Sequence, residues 1–273
     1  MDLVVFPGAN GPMRVFDLEQ PRTADMPVLP SHRPGYSYFL YRRHEDTYAP
    51  EAGPRSSASG VIVCMEHSGT HIDAICHQAE NLMLAGGIPA REVQNANGFS
   101  QLGIEEVPPI IGRGVLLDVP RALGLEELEP GYAITVADLE RCCTTQGVEI
   151  RAGDIVLVRT GNARYWGDPE RYLAGPGVAG KGSAWLAERG VRAVGADNMA
   201  WDVIGLVDPE YGCALPGHLL LLVRHRIHII ENLQLEALAA AGHYEFGFVC
   251  TPLKFVGATG SPVSPVALVP LEG

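Results

Sequence analysis

Between residues 112 and 233 the chain keeps alternating short apolar runs suited to strands with longer stretches suited to helices. GRGVLLDVP (112–120) reads as a strand closed by proline, and TVADLERCCTTQG (135–147) as a helix with Thr135 at its N-cap and Gly147 past its end. GDIVLVRTG (153–161) is the next strand, a helix near GKGSAWLAERG (180–190) follows, and VRAVGAD (191–197) is a strand again. After HLLLLVRHR (218–226), a helix or a short turn-bearing stretch, comes the strand IHIIENL (227–233), and FGFVCTPLKF (246–255) suits one more. Upstream, GVIVCMEH (60–67) reads as a buried strand and AICHQAENLML (74–84) as a helix ended by Gly86 and Gly87. Such alternation is the pattern of the α/β class.

A length of 273 residues with 47% hydrophobic and 19% charged content suits one packed domain over 1–273. The formal net charge of −12, with no lysine or arginine cluster, would repel a phosphate backbone or an anionic leaflet, so neither nucleic acid nor a membrane is expected as a partner. The start, MDLVVFPGAN, has no basic segment ahead of a long apolar stretch, and the densest apolar run, HLLLLV, stops at Arg224, so a soluble cytoplasmic protein is expected. Six cysteines without a C-x-x-C pair argue for reduced thiols rather than a disulfide framework or a zinc knuckle.

Chemistry concentrates in HSGTHIDAICH (67–77), which holds three of the chain's nine histidines and an aspartate. On one regular helix His67 and His71 share a face, but Asp73 and His77 lie about 240° and 280° around from His67. On one regular strand the outer two would stand about 33 Å apart. A strand ending near His67, a turn at Ser68-Gly69-Thr70, and a helix starting with Asp73 as N-cap would gather all four, His77 lying one turn in. A converged His/His/Asp set is donor chemistry for a divalent metal such as zinc, manganese or iron, and a carboxylate in it can bridge a second ion. The plainer alternative is a group of separately satisfied histidines with Asp73 as a helix cap.

The string H-x-G-T-H-x-D-A-x-x-H resembles the signature of the metal-dependent cyclase-like hydrolases, the family of the kynurenine formamidase and isatin hydrolase type. The resemblance continues through GRGVLLDV, ITVADLE, GDIVLVRTGN, WLAERGVRAVGAD, the His218 to IIENL stretch and GATGSPVSPVAL. It departs at Ile75, where proline is usual, and at ADNMAWD (196–202), where many members carry a Pro-Ser pair. The resemblance implies a layered β/β/α, swivelling architecture. It implies that His67, His71 and Asp73 are metal ligands, that His77 handles protons, and that His218 and Glu231 complete a second metal position bridged by Asp73. Zinc or manganese, as one or two ions, and a homodimer or homotetramer are further implications. Read without the resemblance, His218 beside an apolar run also fits a satisfied core histidine. Glu231, directly after IHII, is either paired or metal-bound if buried, or faces water from the strand end.

Together these residues suit metal-activated water attacking the amide of a small molecule, with a histidine moving the proton. The expected substrate is a small cyclic amide or N-acyl aromatic amine. The alternatives are a metal-dependent lyase or cyclase, and a non-catalytic metal- or ligand-binding relative. No G-x-S-x-G elbow, Walker loop or G-x-G-x-x-G after a strand supports a serine hydrolase or a nucleotide enzyme. Aromatics in GYSYFLYRRH (35–44) and at Trp201 could line the pocket or simply pack, and Trp201 offers a flat surface for an aromatic substrate. Asp118, Asp154, Arg159 and Asp197, at strand ends, are explained equally well by salt bridges or turns.

Overall fold

The alternation between 112 and 233 folds into the middle of a ten-stranded sheet. The structure, a computed structural model, describes residues 4–8 and 11–271. In spatial order the strands are Val4–Gly8, Gly11–Asp17, Val266–Pro270, Glu245–Cys250, Ile110–Asp118, Ile155–Arg159, Ala193–Ala196, His228–Glu231, His71–Asp73 and Gly260–Pro262. The four strands from Ile110–Asp118 to His228–Glu231 run parallel, and every other pairing within this sheet is antiparallel.

Period-two alternation sorts the central side chains between two cores. Val115, Leu117, Val156, Val158, Val194, Ala196 and Ile229 face a layer containing Leu139 and Cys142 of helix Val136–Gln146 and Trp185 and Leu186 of helix Gly180–Glu188. Leu116, Ile155, Leu157, Ala193 and Ile230 point the other way and share a core with Ile72 from one wing of the sheet and Phe248, Ala267 and Val269 from the other. The wings meet because the sheet curls: the Gln234 amide, just past His228–Glu231, donates to the Leu18 carbonyl, just past Gly11–Asp17, at 2.9 Å. The architecture is therefore α/β, with helices on one face and the curled sheet closing over the other.

Local signals explain the helix ends. Thr135 and Asp138 form a reciprocal capping box, and Gly147 takes the left-handed conformation after Gln146. Leu219–Arg224, in the ambiguous apolar run, is a π-helical extension of the turn Pro216–His218.

Two expectations fail. GVIVCMEH does not enter the buried sheet; Ser59–Cys64 pairs with Tyr36–Arg42 in a separate hairpin whose Tyr41 and Ile62 are exposed. Apolar composition alone did not distinguish a core strand from an exposed arm. Nor is 74–84 a helix. Asp73 ends a strand rather than capping a helix, since the Ala74 amide is drawn to the Thr259 carbonyl at 2.8 Å. One 3₁₀ turn, Ile75–His77, follows, and the left-handed Asn81 and Leu82 stop any continuation.

Candidate metal centre

The ligand-rich segment is gathered by two neighbouring strands. His71–Asp73 lies between His228–Glu231 and Gly260–Pro262, with Glu231 opposite His71 and Gly260 opposite Asp73. Gly69, at φ +63°, bends the chain so that His67 returns towards the strand it precedes. His77 arrives from the 3₁₀ turn and stacks on His67, with ring centroids 3.9 Å apart. His218 comes from the turn after Leu215.

The polar atoms of these residues converge. His67 Nδ1 lies 2.9 Å from Asp73 Oδ1, and His71 Nε2 is 3.6 Å from the same oxygen and 3.5 Å from Glu231 Oε2. His218 Nε2 lies 3.6 Å from Asp73 Oδ2 and 3.2 Å from Glu231 Oε1. Two triads, His67/His71/Asp73 and Asp73/His77/His218, each bring one donor atom per residue within 4.8 Å of the others. Asp73 belongs to both. Metal–ligand bonds of roughly 2.0–2.1 Å at tetrahedral angles separate the donors by about 3.3 Å, so these spacings suit a shared ion. Among the described residues no hydrogen-bond donor meets the buried Asp73 Oδ2 and Glu231 Oε1, which would be costly for carboxylates unless a cation meets them. The residues present fit a divalent metal.

Surrounding groups orient the rings. The His71 Nδ1 donates to the Gly69 carbonyl at 2.8 Å, turning Nε2 towards Asp73 and Glu231. His67 Nε2 lies 2.7 Å from Thr259 Oγ1, and Thr259 in turn donates to Glu66. His218 Nδ1 is 2.9 Å from Asp202 Oδ2, and the Ala200 amide donates to Glu231 Oε2 at 2.9 Å. Asp202, Ala200 and Thr259 were missed by reading the sequence. ADNMAWD was noticed only as a departure from pattern, and nothing in it signalled a partner for a histidine 16 residues on.

Electrostatics separates the histidines. Burial pushes His77 down to about 3, with Asp73 opposing and the neighbouring histidines reinforcing the shift. Burial likewise lowers His71 despite the charges of Glu231 and Asp73. Burial also acts against protonated His67, but its hydrogen bond to Asp73 and that residue's charge raise it overall. His218, buried too, is raised well above its ordinary range by Asp202 and Glu231. Asp73 is held below the usual carboxylate range; burial opposes this, and His77, His67 and His71 outweigh it.

The site opens into a cavity of about 210 Å³, lined by the five candidate ligands, His77, His32, Leu29, Ala200 and Leu215 among others. Trp201 is not in its wall. The indole is fully buried, its Nε1 donating to Ser183 Oγ at 2.9 Å, so the flat surface expected for a substrate ring is instead spent on the core. Tyr36–Arg42, in the aromatic segment 35–44, forms one strand of the hairpin and does not line this chain's own cavity.

Residues 16–203 match the family model described as "Putative cyclase". The chain belongs to this family. This family member is 25% identical over 252 residues to the kynurenine formamidase of Bacillus mycoides (strain KBAB4), an alignment covering 92% of this chain and 95% of that protein. It is 27% identical over 259 residues to Cyclase-like protein 2 of Oryza sativa subsp. japonica, covering 94% and 79% respectively. Among solved structures, that of a novel cyclase superimposes with a TM-score of 0.82 at 32% identity, over 93% of this chain and 87% of that one. Isatin hydrolase A from Ralstonia solanacearum shares the fold, with a TM-score of 0.71 at 22% identity over 94% and 92% of the two chains.

Proposed function

We propose that this cyclase-family chain is a metal-dependent amidohydrolase acting on the C–N bond of a small cyclic amide or N-acyl aromatic amine. The observation that carries the reading is the buried convergence of His67, His71, Asp73, His218 and Glu231, with two carboxylate oxygens left without donors beside a cavity. His67, His71 and Asp73 would hold one zinc or manganese ion, and Asp73, His218 and Glu231 a second. When bound, such an ion supplies acidified water and polarises a carbonyl.

The chain's own groups supply the rest. His77, stacked on His67 and lining the cavity, would present an imidazole nitrogen to take a proton and return it to the departing amine. Leu29, Ala200 and Leu215 add apolar surface to the cavity lining. At about 210 Å³ the cavity is smaller than the ~300–1,000 Å³ of typical ligand pockets, which favours a small substrate. With Trp201 in the core, support for an aromatic substrate rests on the kynurenine formamidase and isatin hydrolase relatives.

The test is turnover of N-formylkynurenine, isatin, an aliphatic formamide and a cyclic imide, with zinc and with manganese, alongside elemental analysis of protein purified without chelator. Bound metal and faster cleavage of the two aromatic compounds are expected. Metal-free active protein, or no hydrolysis of any of the four, would remove the reading.

A homodimer or homotetramer belongs to the same proposal. The hairpin exposes Phe39 and Tyr41 on one face and Tyr38, Leu40 and Ile62 on the other, an apolar arm suited to a second copy of the chain. Its two strands lead directly from His32 and into His67, so association would support the walls of the cavity.

A further inference from the structure

We infer that the turn Ala200–Trp201–Asp202 is a clamp that sets the His218/Glu231 half of the metal centre, with Asp202 as the positioning residue. This rests on the proposed function, in which those two residues face a metal.

Asp202 is 2% exposed and spends both carboxylate oxygens on one short segment. Its Oδ1 accepts from the Gly217 amide at 2.7 Å, while Oδ2 accepts from the His218 amide at 3.2 Å and lies 2.9 Å from His218 Nδ1. Two contacts fix the backbone beneath the ring and the third fixes the ring itself, and occupying Nδ1 turns Nε2 towards Asp73 and Glu231. Two residues earlier, the Ala200 amide fixes Glu231 Oε2 and thereby aims Oε1 at the same point. One turn therefore holds both members of the half-site.

The turn is held under strain. Ala200 and Trp201 are consecutive non-glycine residues with positive φ, +70° and +49°, and such backbone persists only where surrounding contacts over-determine it. Trp201 provides those contacts. Its indole donates to Ser183, and its carbonyl accepts from the Val178 amide at 2.9 Å and Asn198 Nδ2 at 3.0 Å. Gly217 completes the fit, because a Cβ there would stand 2.7 Å from Trp201 Cδ1 and 2.8 Å from Asp202 Oδ1. The tryptophan anchors the clamp from behind rather than meeting substrate.

Zinc titration of chelator-treated protein against a competing chromophoric chelator tests this, with wild type, Asp202→Asn and Gly217→Ala compared for stoichiometry and affinity. Asp202→Asn should weaken one zinc equivalent, or the sole one if only one binds, on the order of 10–100-fold. The other equivalent, where present, should keep its affinity, a selectivity that general loss of structure would not produce. Gly217→Ala, which adds one methyl against the clamp, should shift the same equivalent in the same direction, and it decides the matter if Asp202→Asn does not fold. Unchanged affinities in the folded variants, or equal weakening of two equivalents, would overturn the clamp while leaving the proposed function standing. A wild type that binds no zinc or manganese would instead overturn the proposed function.

Discussion

At the scale of single residues the site divides its histidines by what lies behind each ring. His71 and His218 are backed on Nδ1 by a carbonyl and a carboxylate and present Nε2 to the acids, whereas His77 has no such backing hydrogen bond among the described residues and stacks on His67 at the cavity wall. What lies behind each ring is not visible in the string H-x-G-T-H-x-D-A-x-x-H, although the resemblance it carries already implied separate duties for His77 and for His67 and His71. The difference in backing supports separate duties for ligation and proton transfer. His77→Ala should therefore keep the wild-type metal content by elemental analysis while losing on the order of 100-fold or more in kcat. Loss of metal in that variant would move His77 among the ligands. Trp201 teaches the opposite lesson: its size suggested a platform, but an indole also fills core volume, and only the neighbours decide which use it serves.

Among the elements, the strand ends of the parallel sheet set both stability and the shape of the site. Arg159 and Asp118, at adjacent strand ends, pair at 2.7 Å, and Glu236 closes on Arg159 at 2.8 Å, so these charges serve as ties. Asp197 follows Ala193–Ala196 and accepts from the Thr160 amide and hydroxyl and from the Gly161 amide, tying that strand to its neighbour. Burial raises its carboxyl from 3.8 to about 6, against the pull of those donors. The native state thus holds this proton more tightly than the unfolded chain does, and the contribution is full below about pH 4 and lost as pH rises through 6. Asp197→Asn should flatten that pH dependence by about 2 kcal/mol, read as the difference from wild type in urea unfolding free energy at pH 4 and pH 7. The glycine of the ligand turn is a second test at this scale. Gly69 lies at φ +63°, and a Cβ would approach Arg22 Nε at 2.9 Å, the side chain that bonds the Thr70 carbonyl. Gly69→Ala should cost about 1–2 kcal/mol of stability and weaken metal binding in the same zinc titration.

For the whole molecule, curling of the sheet brings segments far apart in sequence to one cavity, and the hairpin arm stands outside that core. Replacing Tyr41 and Ile62 together by glutamate removes exposed apolar surface without touching either core. If the proposed oligomer forms through this arm, sedimentation velocity should show the variant closer to monomer than the wild type; an unchanged sedimentation coefficient for an oligomeric wild type would place the interface elsewhere, and a monomeric wild type would remove the oligomer from the proposal. The sequence alone determined the α/β class, most central strands, the helix capped by Thr135 and stopped by Gly147, and the gathering of His67, His71, Asp73 and His77, because these follow from local periodicity, backbone permissiveness and donor chemistry, whereas His218 and Glu231 were reached only through the family resemblance. It did not determine that Asp73 ends a strand, that residues 59–64 leave the sheet, or that Asp202 stands behind His218. Those outcomes depend on which distant backbone competes for each hydrogen bond: Thr259 claims the Ala74 amide, Tyr36–Arg42 claims Ser59–Cys64, and the left-handed turn at 200 and 201 carries a carboxylate to a ring 16 residues away. Local preference amounts to only a few tenths of a kcal/mol per residue, too little to resist such tertiary partners once the chain has closed.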